Sequence, residues 1–377
     1  MEHLQSTVAS NKPIRNSSIE LLRTIAMLMI TFHHFSVHGG FLFSETDISL
    51  TKFWVNFISM GGKIGVDLFV LISGYFLILE KENFFNIKKI LKLWGQIAFY
   101  SITITLIFSV FRNEPIGVKS FIKTLFPISF SGWWFASTYF VLYLIHPFLN
   151  RLLLGFDKAT FQKYLVLLIT CWCIIPTFTT LSYQGNALIW FVCLYSVSAY
   201  IRLFDLNPKL KRKHFLVLWI VFSALTYLSS VVFCFLGTKW SVFSSHATYF
   251  FGQDKLSVLL ISLCLFMVFE KTELPYNKWI NLIASATFGV YLIHDSNLVR
   301  PFLWIELFKN ASYQNTPLLI PYSIFVVVLV YAVCTIIDLG RKYLLEKPFL
   351  KLVDTHADKW LLPFKKAVDW AKKIIFG

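Results

Sequence analysis

The chain has 377 residues, of which 56% are hydrophobic and only 15% charged. That balance excludes a soluble globular domain and identifies a polytopic membrane protein. Its formal charge of +15 invites a nucleic-acid reading, which the placement of the charges excludes below. In lipid the backbone must satisfy its own hydrogen bonds, so spans are helices or a closed barrel, and each helix needs roughly 20 mostly apolar residues. Continuous apolar runs of that length predict an all-α fold.

Ten stretches qualify in chain order, at about 17–37, 54–79, 93–111, 133–150, 161–181, 187–203, 214–236, 254–270, 279–298 and 317–340. The segment before the third, "EKENFFNIKKILKLW", reads as interfacial, with Phe and Trp at headgroup level and lysines reaching water. With the N-terminus placed in the cytoplasm, the loops on its side and both tails hold 25 of the 35 Lys and Arg, the opposite side nine, and Arg23 lies within the first span. This asymmetry is the positive-inside pattern and puts both termini in the cytoplasm. The basic surplus, densest in "NPKLKRKH" (207–214) and after Arg341, therefore marks topology and contact with anionic membrane lipids, with no nucleic-acid partner.

The chain divides into a cytoplasmic segment 1–16, a membrane domain 17–350 and a basic amphipathic tail 351–377 on the inner leaflet. The first apolar run lacks a small-residue cleavage site and is expected to be an anchor rather than a removable signal. Cys171, Cys173, Cys193, Cys234, Cys264 and Cys334 all fall in the predicted spans. They read as packing residues, without a disulfide framework or a metal cluster. No loop exceeds about 22 residues, so chemistry is expected inside the bundle.

Ionisable groups at bilayer depth cost roughly 2.5–3.5 kcal/mol each and usually face the bundle interior. In the first span, "IELLRTIAMLMITFHH", Arg23 and His34 are eleven positions apart. At about 100° and 1.5 Å per residue they share one face and lie about 16 Å apart along the axis, whereas His33 points away. Glu20 is placed to pair with Arg23. A bare alternative is that Arg23 snorkels to the headgroups and the histidines sit at the opposite interface. The second span, "GGKIGVDLFVLISGYFL", carries Lys63 and Asp67, spaced to neutralise each other, and Ser73 beside Gly74. Its glycines read as close-packing positions, and Ser73 as a packing or hydrogen-bonding residue rather than a nucleophile. In the fourth span Trp133 and Trp134 form an interfacial belt, and His146-Pro147 is structural. The ninth, "SATFGVYLIHDSNLVRP", brings His294 and Asp295 to the depth of His34.

"IELLRTIAMLMITFHH", "GVDLFVLISGYFL", "FGVYLIH" and "LLEKPF", in this order, resemble the successive signatures of the membrane acyltransferase 3 family from about residue 17 to 350. The Arg, ten residues, His pattern selects Arg23 and His34. Glu20 stands where relatives commonly have Asp, and Val70 where a second Phe is usual. The resemblance implies a stand-alone multi-pass enzyme of the plasma membrane that moves an acyl group, usually acetyl from acetyl-CoA, onto a hydroxyl of a cell-surface or lipid-linked glycan. Acyl-CoA would then be a substrate, with no resident cofactor or metal. An arginine suits the donor phosphates, so Arg23 is assigned to the donor, with Glu20 and Ser73 beside it. His34 is assigned as general base, Asp67 as a residue that orients or tunes a catalytic partner, and His294 as a contact for acceptor or proton. A secondary transporter or flippase for a glycan or other anionic solute is the rival reading. The two halves show no repeated Arg-to-His or Gly-Val-Asp pattern to support it.

Overall fold

A computed structural model of the protein describes residues 16–80, 86–113, 115–130, 132–179 and 186–376. Apart from Asn16, the expected N-terminal segment lies outside the described residues. Among the described residues every regular element is helical. In order these are α1 (Ser17–His38), α2 (Leu50–Leu77), α3 (Ile87–Arg112), α4 (Val118–Leu125), α5 (Trp134–Leu154) and α6 (Lys158–Ile169), then a π-turn into α7 (Ile175–Phe178). Next come α8 (Ala187–Phe204), α9 (Arg212–Gly237), α10 (Ser241–Ser245), α11 (Leu256–Glu270), α12 (Lys278–Ala284) and α13 (Thr287–His294). The short α14 (Val299–Pro301) precedes α15 (Leu319–Arg341), which passes through a π-turn into α16 (Lys347–Phe376).

Among the described residues seven helical stretches are long and apolar enough to cross a membrane: α2, α3, α6–α7, α8, α9, α10–α11 and α15–α16. The other three expected spans are helical but are interrupted or contain more polar residues. Helix α1 carries Glu20, Arg23 and three histidines. Helix α5 contains Pro147. The expected ninth span is two short helices, α12 and α13, separated at Ser285–Ala286. The stretch expected to be interfacial is, from Ile87 onward, simply the first turns of α3, while 81–85 lie outside the described residues.

Helix α2 is the centre of the bundle. It packs along α1 on one side and against α8 and α11 on others, while α13 packs on α1, α3 and α15. Glycines let α2 approach its neighbours. A Cβ on Gly65 would stand 2.5 Å from the Ala26 carbonyl oxygen, and one on Gly74 would stand 2.2 Å from Ser198 Oγ. Gly65→Val therefore forces α1 and α2 apart. The expected loss is about 1–3 kcal/mol, read as a lowered Tm in detergent; an unchanged Tm would show that the helices do not pack this closely.

Apolar side chains on the outer faces of α9 and α15, among them Val217, Leu225, Phe325 and Ile336, are exposed. Such faces suit hydrocarbon rather than water. Polar groups are instead concentrated inside. Pro147 lacks the N–H that would normally reach Tyr143, and His146 Nδ1 bonds that carbonyl at 2.5 Å, which gives His146 the structural role expected of it. Buried Asp338 accepts from Gln96 (3.1 Å), Tyr100 (2.8 Å) and Arg341 (2.8 Å). Arg341 also pairs with Glu346 at 2.8 Å, and Glu346 pairs with Lys92 at 2.9 Å. The closing "LLEKPF" stretch is thereby tied to α3.

Candidate active site

Helix α1 is continuous from Ser17 to His38, capped by the Asn16 side chain on Ser18 and Ile19 N–H. Its regularity preserves the eleven-residue interval, so Arg23 and His34 occupy one face near its two ends. Glu20 pairs with Arg23 at 3.2 Å.

At the far end, His34 is buried, and its Nδ1 lies 2.9 Å from His294 Nε2 on α13. The hydrogen-bond partners assign the protons for neutral rings. His294 Nδ1 is 2.6 Å from the Val290 carbonyl oxygen; a carbonyl only accepts, so His294 Nδ1 carries the hydrogen and Nε2 is the acceptor. His34 Nδ1–H must then donate to it. The remaining nitrogen of His34, Nε2, is left with its lone pair, the form required of a general base.

Asp295 adds negative charge to this pair. Its Oδ1 lies 3.6 Å from His34 Nδ1, 3.9 Å from His38 Nε2 and 3.0 Å from Arg300 Nη2. His34, His38 and Asp295 present ligand atoms within 4.8 Å of one another. A cation there would face the Arg300 guanidinium on the same Asp295 oxygen and would compete with His294 for His34 Nδ1. The group therefore reads as an ion-pair cluster around Asp295.

The adjacent histidine does something else. His33 Nδ1 bonds the Ser59 carbonyl at 2.7 Å, and its ring covers Gly62, where an added Cβ would be 2.2 Å from His33 Cγ. His33 thus seals the α1–α2 contact, while His34 faces α13.

Asp67 is fully buried, and its Oδ1 accepts from Trp190 Nε1 at 3.0 Å. Its Oδ2 has no hydrogen-bond partner among the described residues. Asp67 and Lys63 do not meet as the expected ion pair; the Lys63 ammonium instead sits 4.8 Å from the Trp134 ring centre. The i, i+4 spacing permits the pair, but the aromatic face across the interface takes the lysine. Ser73 Oγ bonds the Phe69 carbonyl at 2.8 Å and Tyr139 OH at 3.1 Å.

Arg23 and Ser73 line a cavity of about 300 Å³ together with Lys89, Lys92, Tyr139 and Phe288. Along α5 it reaches from Tyr143 to Phe135, about 12 Å by helical rise. Phe135 lies edge-on to Tyr291, 5.6 Å between centres, one turn before His294. The break between α12 and α13 opens onto the same cavity through Ala284, Ser285 and Thr287. Helix α13 thus starts at the cavity with Arg23 and ends at the imidazole pair with His34.

The sequence motifs pointed to Arg23, His34 and His294, and the fold joins the last two directly. Asp67 is held by Trp190, and no hydrogen bond or ion pair joins it to His34 among the described residues. Lys92, Trp190 and Arg300 were not singled out. The only available signal for Arg300 was a second charge five residues beyond Asp295, and nothing local marks Trp190.

An all-helical, multi-pass membrane protein with a cation-lined cavity at the start of α13 and a buried imidazole pair at its end has the parts of a membrane-embedded group-transfer enzyme. The acyltransferase-domain model of the acyltransferase 3 family matches residues 16–339, and the chain belongs to that family as a membrane acyltransferase. No curated protein and no solved structure matches it.

Proposed function

We propose that the chain moves an acyl group, acetyl in the simplest case, from cytoplasmic acyl-CoA to a hydroxyl of a cell-surface or lipid-linked glycan. It does so in the plasma membrane, with ten crossings and both termini inside. The supporting observation is the parallel course of α1 and α13, from the cavity lined by Arg23 to the His34–His294 pair. A pantetheine arm, on the order of 15–20 Å by covalent geometry, matches the roughly 16 Å between Arg23 and His34.

In this reading Arg23, Lys89 and Lys92 meet the donor's phosphates, as charge-assisted contacts do, and Glu20 holds Arg23 in place. Ser73 contributes a hydroxyl to the donor cavity. The acceptor O–H gives its proton to His34 Nε2 as its oxygen attacks the thioester carbonyl. The C–S bond then breaks, and the sulfur leaves with that proton as free CoA. His294 accepts from His34 Nδ1–H throughout, and the Asp295 carboxylate stabilises the transient imidazolium. Asp67 acts at one remove, fixing Trp190.

A discontinuous helix such as α12–α13 is also found at transporter binding sites. Proteoliposomes given acetyl-labelled acetyl-CoA and a glycan acceptor separate the two activities. Label is expected as an alkali-labile ester on the glycan, accompanied by free CoA. Passage of the glycan across the bilayer without ester formation would refute the reading.

A further inference from the structure

Lys63 stands inside the bundle without a polar partner. It is only partly buried on α2, and its ammonium has neither a hydrogen bond nor an ion pair among the described residues. What it faces is the Trp134 ring, whose centre is 4.8 Å away. Asp67, one turn along α2, and Asp295 act on it only through space. Charged groups at bilayer depth are costly and normally pair with one another or with backbone carbonyls. An ammonium held by a ring alone is therefore short of an acceptor. Arg300, by contrast, is engaged by the Asp295 carboxylate and the Asp295 carbonyl, both at 3.0 Å.

The surroundings of Lys63 place it where the Arg23 cavity and the histidine cluster approach each other. Gly62, the residue before it, lies under the His33 ring, which sets Lys63 level with the paired histidines of α1. Phe69, six residues further along α2 and about 9 Å away by helical rise, lines the Arg23 cavity. Trp134 precedes Phe135, which stands at the other end of that cavity from Tyr143. The Phe135 ring centre is 6.2 Å from that of Phe69 and 5.6 Å from that of Tyr291, one turn before Asp295.

We infer that Lys63 is a further catalytic residue, donating a hydrogen bond to the thioester carbonyl oxygen as negative charge develops on it. The inference rests on the proposed transfer reaction, which otherwise leaves that oxygen without a donor. A thioester whose phosphates rest at Arg23 arrives at the level of both His34 and Lys63. His34 takes the acceptor proton, the acceptor oxygen bonds to the carbonyl carbon, and the carbonyl π electrons move onto oxygen, where the ammonium meets them. Those electrons then re-form the carbonyl as the C–S bond breaks, and the sulfur leaves with the proton held by His34. Lys63 keeps its own protons throughout. A donor without a fixed acceptor suits this role, because no existing bond has to break as the oxyanion forms.

Lys63→Met removes the charge and keeps an unbranched stem. In purified protein it is expected to lower kcat for ester formation about 10²–10³-fold, the usual loss for one such donor, with donor KM within a few-fold. The Tm should not fall, since the variant takes an unpaired charge out of the bundle. Acetyl-CoA with an isotope-labelled carbonyl gives a second reading that needs no turnover. Without acceptor, its infrared carbonyl stretch is expected below its frequency in water when bound to the unsubstituted protein, and to lose that lowering in Lys63→Met. An unchanged kcat in Lys63→Met, a bound stretch that is not lowered in the unsubstituted protein, or one equally lowered in both would overturn the inference and leave the transfer reaction in place. A lowered stretch that Lys63→Met abolishes, in a protein that forms no ester, would keep the Lys63 contact and remove the transfer to an acceptor.

Discussion

His34→Ala is expected to lower acyl transfer by about 10²–10⁴-fold, the usual range for loss of a positioned general base, with acyl-CoA affinity unchanged. The reason lies in the proton assignment. His294 presents its Nε2 lone pair to His34 Nδ1 at 2.9 Å because its own Nδ1–H is bound to the Val290 carbonyl. That arrangement fixes the basic nitrogen of His34 as Nε2, and alanine removes it. His33→Ala removes a ring that fills the contact with Gly62 and bonds Ser59. It is expected to lower the Tm while leaving turnover per folded molecule within a few-fold of the unsubstituted protein. Transfer rates and donor Kd values for the two variants check this. Equal loss of turnover in both would mean that His34 has no special role.

Arg23→Ala is expected to weaken acyl-CoA binding by about 10- to 100-fold, corresponding to the roughly 1.5–3 kcal/mol of a hydrogen bond to a charged group. The loss should appear in donor KM, with kcat at saturating donor little changed, because Arg23 lies about 16 Å along α1 from His34. Removing it also leaves Glu20 unpaired on the same helix face, adding repulsion toward phosphate. Titration of the variant with non-hydrolysable acyl-CoA provides the measurement. Unaltered affinity would remove Arg23 from the donor site and leave Lys89 and Lys92 as the cations lining the cavity.

The parts of this site that were legible in the sequence depend on local periodicity. Helical spacing alone aligned Arg23 with His34 and turned His33 aside. Matched depth in two spans put His34 and His294 at one level, but their contact needed the packing of α13 against α1. Long-range choices were not legible. Lys63 and Asp67 are spaced for each other, yet Trp134 takes the lysine and Trp190 takes the carboxylate. Both partners lie on helices far away in sequence. The break at Ser285–Ala286 was equally hidden, because "IASATFGVYLIH" has no proline and no polar run to interrupt its apolar pattern. Asp338, in an apolar helix with Arg341 three residues on, did carry the signal of buried charge. Its network with Gln96 and Tyr100 needed the packing of α3 against α15 and α13.

The most direct test of the central claim is to follow free thiol released from acetyl-CoA by the purified protein in the presence of a saccharide acceptor, for the unsubstituted chain and for His34→Ala. The expected result is thiol released one for one with ester formed on the saccharide, and both lost together in His34→Ala. Thiol release and ester formation that persist at the unsubstituted rate in His34→Ala would contradict it.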